Sequence, residues 1–157
     1  MKLIIHFFFS IILLVSSSVL YSAPDNKTRL ILLGTGTPNA DPNRAGPALA
    51  ISVGDRSYIV DFGPGIVRQA AALSSNHGGP FESLNSKNLK VVFLTHLHSD
   101  HTTGYPDLIL TPWVLERSDP LKVFGPKGIK NMTTKILEAY KAAVSYTHLT
   151  LPTSDLV

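Results

Sequence analysis

At 157 residues, with 44% hydrophobic, 16% charged and 8% aromatic side chains, the chain has the composition of one globular domain, which excludes disordered and collagen-like polypeptides. Cysteine is absent, which removes disulfide frameworks, iron–sulfur centres, thiolate zinc sites and a Cys nucleophile, so any metal must sit on His and carboxylates. Fourteen Lys and Arg against eleven Asp and Glu leave a net charge of +3, too small and too scattered to mark a nucleic-acid surface.

Met1-Lys2, the apolar run at 3–15, Ser16-Ser17-Ser18 and the small residues up to Ala23 read as the charged, apolar and cleavage regions of a secretory signal. Residues 1–23 are therefore expected to be removed, and the protein to be periplasmic or secreted. A single membrane anchor competes with this reading and is weakened by His6, Ser10 and the serines.

Residues 30–33 form a short apolar run that stops at Gly34. Two β-type runs follow at 48–53 and 57–61, separated by Gly54-Asp55-Arg56, which is the spacing of a hairpin. Ile66, Val67, Ala70, Ala71 and Leu73 recur at helical intervals, and 74–88, rich in Ser, Asn, Gly and Pro, reads as a loop. Residues 91–94 are the next buried strand. Tyr105, Leu108 and Ile109 predict a helix that Pro112 ends or bends, and 121–124 predict a further strand. Ile129, Met132, Ile136, Leu137 and Tyr140 share one face of a last helix, with Lys127, Lys130, Lys135 and Lys141 elsewhere on the surface. Strands come first and alternation follows, with no repeat and no linker, so the class is α/β. The segment VSYTHLTLPT at 144–153 resembles the translation of a transposase adaptor used in sequencing libraries. Residues 144–157 are therefore expected to be a read-through tail, and 24–143 the native mature part.

The chemistry concentrates in Thr95-His96-Leu97-His98-Ser99-Asp100-His101, directly after the strand at 91–94. His96 and His98 are two apart, so extended backbone points both to the same side, and a turn can bring Asp100 and His101 to a second point nearby. One short loop could thus serve two metals about 3.5–4 Å apart. Zinc accepts this nitrogen and oxygen set, and Mn or Fe could take the same ligands. Capping or a solvated His-rich loop is the bland alternative.

HLHSDH after VVFLT resembles the HxHxDH motif of the metallo-β-lactamase fold hydrolases. LGTGTPN at 33–39, RAGPA at 44–48, DFGPG at 61–65, GYPDLILTPW at 104–113 and FGPKG at 124–128 resemble the branch that holds ribonuclease Z and the metal-dependent arylsulfatase-like proteins. The resemblance implies the N-terminal half of an αββα sandwich and two zinc ions. His96 and His98 would bind the first, and Asp100 and His101 the second. Further His ligands and a bridging Asp would come from sequence beyond Ala143. Asp61 would lie beneath the loop and orient a ligand, while from sequence alone a helix cap or turn carboxylate reads equally well. Asp100 is the candidate to orient the attacking water or take its proton. Arg44 reads as a surface arginine or an anion contact, and His77 as solvated.

Three functions are consistent with these residues. An exported metal-dependent hydrolase of small anionic esters, arylsulfatase-like or phosphodiesterase-like, agrees with the signal segment and the modest charge, and disfavours nucleic acid as a partner. A homo-oligomer is compatible, and no membrane partner is expected beyond the signal segment. A ribonuclease Z-type tRNA 3′-processing endonuclease is the alternative. The signal segment, DFGPG in place of Cys-Gly-Glu-Gly-Thr, and TPW after the helix count against it. A non-catalytic zinc-binding protein is the third reading.

Overall fold

The computed structural model describes residues 27–146. The expected signal segment at 1–23 lies outside the described residues, as does the suspected tail from residue 147 onward. Strands β1 (Thr28–Gly34), β2 (Ala48–Val53) and β3 (Arg56–Val60) pair as an antiparallel meander. Strands β4 (Val91–Phe93) and β5 (Lys122–Phe124) add to it in parallel, giving the order β1-β2-β3-β4-β5. Val53 faces Arg56 in the register, so the hairpin turn is the two residues Gly54-Asp55, one fewer than the sequence spacing suggests. Gly54 supplies the positive φ of 59° that such a turn needs at its first central position.

Parallel strands require crossovers. The first contains α1 (Ile66–Leu73) and three short 3-10 turns at Ser75–His77, Glu82–Leu84 and Ser86–Asn88. The second contains α2 (Ser99–Thr102) and α3 (Tyr105–Val114), and α4 (Ile129–Ala139) and α5 (Lys141–Tyr146) follow β5. The segment at 74–88 lacks strand or α-helix, yet it is not merely a surface loop. Leu84 is fully buried there, as are Ser83, whose hydroxyl meets that of Ser52 at 2.7 Å, and Asn85, whose side chain bonds Ser75 and the Asn76 amide.

The strand period of two divides the sheet sharply. In register across the sheet, Ile31, Ala50, Ile59, Val92 and Val123 are all buried, packed with Phe62, Ile66, Leu108 and Ile129 in one core. The opposite face carries an equally apolar row, Leu32, Leu49, Val60, Phe93 and Phe124, beside Leu30, Ile51, Tyr58 and Val91. There Leu30 and Leu32 are 68% and 65% exposed, and Phe93 stacks on Phe124 with ring centroids 5.0 Å apart. A sheet that is apolar on both faces with helices on one is half of a sandwich.

Pro112 lies inside α3, which continues to Val114 rather than ending there. Proline removes the amide that would have bonded the Leu108 carbonyl. The Arg117 guanidinium takes its place, donating to Leu108 O at 2.9 Å, Ile109 O at 2.8 Å and Leu89 O at 3.2 Å. This arginine is 3% exposed, and burial lowers its pKa to about 10. Arg117→Met keeps the apolar stem and strands these carbonyls, with the returned desolvation of the charge as a partial offset. A stability loss of about 2–4 kcal/mol is expected, read from the denaturant midpoint at unchanged slope.

Tyr105 is fully buried, stacks on Phe62 and donates to Thr133 Oγ1 at 2.7 Å, whose own proton goes to the Ile129 carbonyl at 2.9 Å. Burial raises the Tyr105 pKa to about 12. Between pH ~10 and 12 the unfolded tyrosine sheds a proton that the folded one keeps, so this group lowers stability as pH rises. Arg117 acts oppositely in that range, because the folded state loses its proton first. The stability deficit of Tyr105→Phe, set by the lost hydrogen bond, should therefore narrow from pH 10 to 12. A constant deficit would contradict the buried neutral phenol. Tyr140, assigned by periodicity to the apolar face of α4, instead follows the helix end and is 40% exposed. Thr133 takes the buried position on that helix.

Candidate metal centre

The sequence motifs meet at the C-terminal ends of the parallel strands, where open α/β sheets commonly place ligands. Asp61 follows β3, and Thr95–His101 follow β4. A ladder of backbone hydrogen bonds joins the glycine-bearing segments beneath the histidine loop. Gly36 N donates to Ala45 O, Gly46 N to Pro64 O, Gly63 N to Pro47 O, Phe62 N to His101 O and Gly104 N to Phe62 O, all at 2.8–3.0 Å. These approaches leave no room for side chains. A Cβ on Gly63 would lie 2.5 Å from the Asp100 carbonyl, and one on Gly46 would lie 2.2 Å from the Pro64 ring.

Asp61 is 7% exposed and sits at φ 60°, a left-handed backbone that Asp tolerates better than most residues. Its amide donates to Phe93 O at 2.8 Å. Its carboxylate accepts the Thr95 amide at 2.8 Å, the Thr95 hydroxyl at 2.9 and 3.0 Å, and His101 Nδ1 at 2.8 Å. Asp61 caps no helix: α1 begins after Gly65 without a side-chain cap. Its contacts thread the start and the end of the histidine loop onto one buried carboxylate.

His98 lies in extended backbone before α2, and its carbonyl accepts the His101 amide at 3.1 Å and the Thr102 hydroxyl at 3.0 Å. The turn so formed brings the imidazoles together, with His96 and His98 centroids 4.5 Å apart and His96 and His101 centroids 4.2 Å apart. Asp100 Oδ2 is 3.5 Å from His101 Nε2. Thus His96, His98, Asp100 and His101 share one loop. Among the described residues, however, no three His, Asp or Glu side chains are set to hold an ion by themselves. The donor chemistry does fit a borderline cation: three imidazoles and a carboxylate, with Nδ1 of His96 and of His101 occupied by oxygen partners and Nε2 of neither ring in a hydrogen bond among the described residues. Leu97 packs against Gly128, so the FGPKG turn flanks the same loop.

His77 is exposed in its 3-10 turn and takes no part. Arg44 is exposed and pairs with Asp41 at 3.5 Å. A cavity of about 590 Å³, lined by Arg56, Tyr58, Lys90 and Lys122, lies at the opposite, N-terminal ends of the parallel strands and holds none of the motif side chains. The residue that sequence reasoning left without a role is Thr95, which touches both Asp61 and His96 Nδ1, the latter at 2.9 Å. Its place directly before the first histidine was the available clue.

The chain is 37% identical over 120 residues to the ribonuclease Z of Mycobacterium marinum, which covers 74% of the chain and 40% of that relative. It therefore spans about 40% of the length of the curated relatives it matches. Among solved structures, it resembles the short form of human tRNase Z with TM-score 0.61 and 24% identity over 82% of this chain and 44% of that one. It also resembles a long-form RNase Z from yeast with TM-score 0.63 and 18% identity over 86% of this chain and 18% of that one. Both structural likenesses concern the fold, which is the expected α/β half of the sandwich. These relatives favour the ribonuclease Z reading over the small-ester one. The Metallo-beta-lactamase superfamily model matches residues 41–132, a stretch that includes Asp61 and the whole histidine loop, and the chain belongs to that superfamily.

Proposed function

We propose that this chain forms part of a metal-dependent phosphodiesterase of ribonuclease Z type that cleaves tRNA precursors. The observation that carries the reading is the histidine loop, seated on Asp61, within a chain 37% identical to ribonuclease Z. Two zinc ions, or manganese or iron, on His96, His98, Asp100 and His101 would supply a water of lowered pKa and polarise the phosphate whose phosphorus is under attack. The chain's own residues hold and orient. Asp61 fixes His101, the glycine-bearing segments brace the loop from below, and Asp100, largely buried, would orient the attacking water or take its proton. Further ligands, a proton donor for the leaving group and most of the RNA surface would come from sequence beyond residue 143.

A second reading is supported by residues 1–23, whose sequence suits export to a compartment without tRNA precursors. It assigns the same loop to small aryl sulfates or phosphodiesters in the periplasm. Side-by-side assay of a protein extended to the length of the relatives separates the two. Precursor tRNA cut at its 3′ side, with activity lost on chelation and restored by zinc or manganese, is the expected result. Turnover of chromogenic small esters with precursor tRNA left intact would replace it with the second reading. Zinc binding without turnover of any of these would indicate the non-catalytic protein.

A further inference from the structure

We propose that Thr95 is a positioning residue which, together with Asp61, fixes the tautomers of two imidazoles so that His96 and His101 both present an unprotonated Nε2. The inference extends the metal-ligand reading above, and it follows from counting protons on four groups. The Asp61 carboxylate is an acceptor only. It already receives the Thr95 amide on Oδ1 and faces His101 Nδ1 on Oδ2 at 2.8 Å, so that nitrogen must carry a hydrogen. The Thr95 hydroxyl has one proton, and its oxygen lies 2.9 and 3.0 Å from the two carboxylate oxygens. That proton must point at the carboxylate, since otherwise oxygen lone pairs would oppose one another across both contacts. What Thr95 Oγ1 then offers to His96 Nδ1, 2.9 Å away, is a lone pair, so His96 Nδ1 also carries a hydrogen. A neutral imidazole has a single N–H, which leaves Nε2 of both rings without hydrogen and open to a cation; Asp100 Oδ2 stands 3.5 Å from His101 Nε2, beside it as a second donor and not hydrogen-bonded to it.

One buried carboxylate thereby sets two ligands, His101 directly and His96 through the Thr95 hydroxyl. His98 provides the internal contrast, because among the described residues its ring nitrogens take no hydrogen bond. Histidine free in solution favours the proton on Nε2, so the Thr95 relay holds His96 against the intrinsic preference. Arranging both rings in advance removes a proton rearrangement that metal binding would otherwise require.

The test is a two-bond proton–nitrogen correlation spectrum of the metal-stripped protein labelled with ¹⁵N-histidine, which reads each tautomer directly. His96 and His101 should appear with hydrogen on Nδ1, and His98 should not be held in that form. In Thr95→Val, which keeps the shape and removes the hydroxyl, His96 should relax toward hydrogen on Nε2 while His101 stays as it was. Zinc affinity, measured by competition with a chromophoric chelator, should fall about 10–100-fold, the range typical for losing an outer partner of a metal ligand. Thr95→Ser should restore both. Finding His96 with hydrogen on Nε2 in the unsubstituted protein overturns the proposal without any variant. So does a Thr95→Val protein with unchanged tautomers and zinc affinity. The spectrum involves neither metal nor substrate, so a protein inactive on tRNA leaves the inference standing, whereas an active one with the wrong His96 tautomer refutes the inference alone.

Discussion

Alanine at His96, His98, Asp100 or His101 is expected to lower bound metal and abolish hydrolysis in a protein extended to the length of its relatives. Each variant removes a donor from a loop with few to spare, because His96 lies with its ring centroid 4.2–4.5 Å from those of His98 and His101 and, among the described residues, the carboxylates paired with the loop are Asp100 and Asp61. Asp61→Asn should fall in between, about 10–100-fold in metal affinity or activity, since it loosens His101 and Thr95 without deleting a donor. His77→Ala should change neither quantity. Metal content measured after exhaustive dialysis, alongside the rate, is the check. Unchanged metal in the His96 and Asp100 variants would refute the assignment.

Much of the sheet was legible because strand and helix periods are carried by apolar residues. The runs at 30–33, 48–53, 57–61, 91–94 and 121–124 all fall on β1–β5 within a residue or two. The histidine loop was legible for a different reason: its donors are adjacent in sequence, so no long-range contact had to be foreseen. Polar groups that the fold buries were not legible. Nothing in the sequence marks Arg117, Thr133, Ser83 and Asn85 as buried, because hydropathy counts the cost of burying them and does not see the partner that offsets it. Arg117 is the clearest case, since its role depends on a carbonyl that Pro112 leaves unbonded in the preceding helix. The glycine motifs at 34–36, 46 and 63–65 were visible as words, but their meaning is backbone packed against backbone across distant segments. Thr95 was likewise visible only as a β-branched residue at a strand end, because a proton relay needs the positions of Asp61 and His96 together.

The 157-residue chain by itself is expected to self-associate, because its sheet carries an apolar row across all five strands on the face opposite its helices. Typical monomers expose no apolar patch beyond roughly 300–600 Å². The row Leu32, Leu49, Val60, Phe93 and Phe124, with Leu30 and Ile51 alongside, is continuous and includes two leucines about two-thirds exposed. Covering such a face with a second sheet is what the sandwich architecture does. The same substitution should therefore have opposite effects in two contexts. Leu32→Lys should raise the soluble, monomeric fraction of the 157-residue chain, measured by light scattering, since it places a charge at one of the most exposed side chains of that surface, on the edge strand β1. In a protein extended to the relatives' length it should cost about 2–5 kcal/mol in chemical denaturation, because the leucine is then buried and lysine cannot be. Leu30→Lys should act likewise and His77→Lys should do neither. A 157-residue chain that is monomeric and melts cooperatively, or a Leu32→Lys substitution neutral in the longer protein, would show that this face is not where the other half packs.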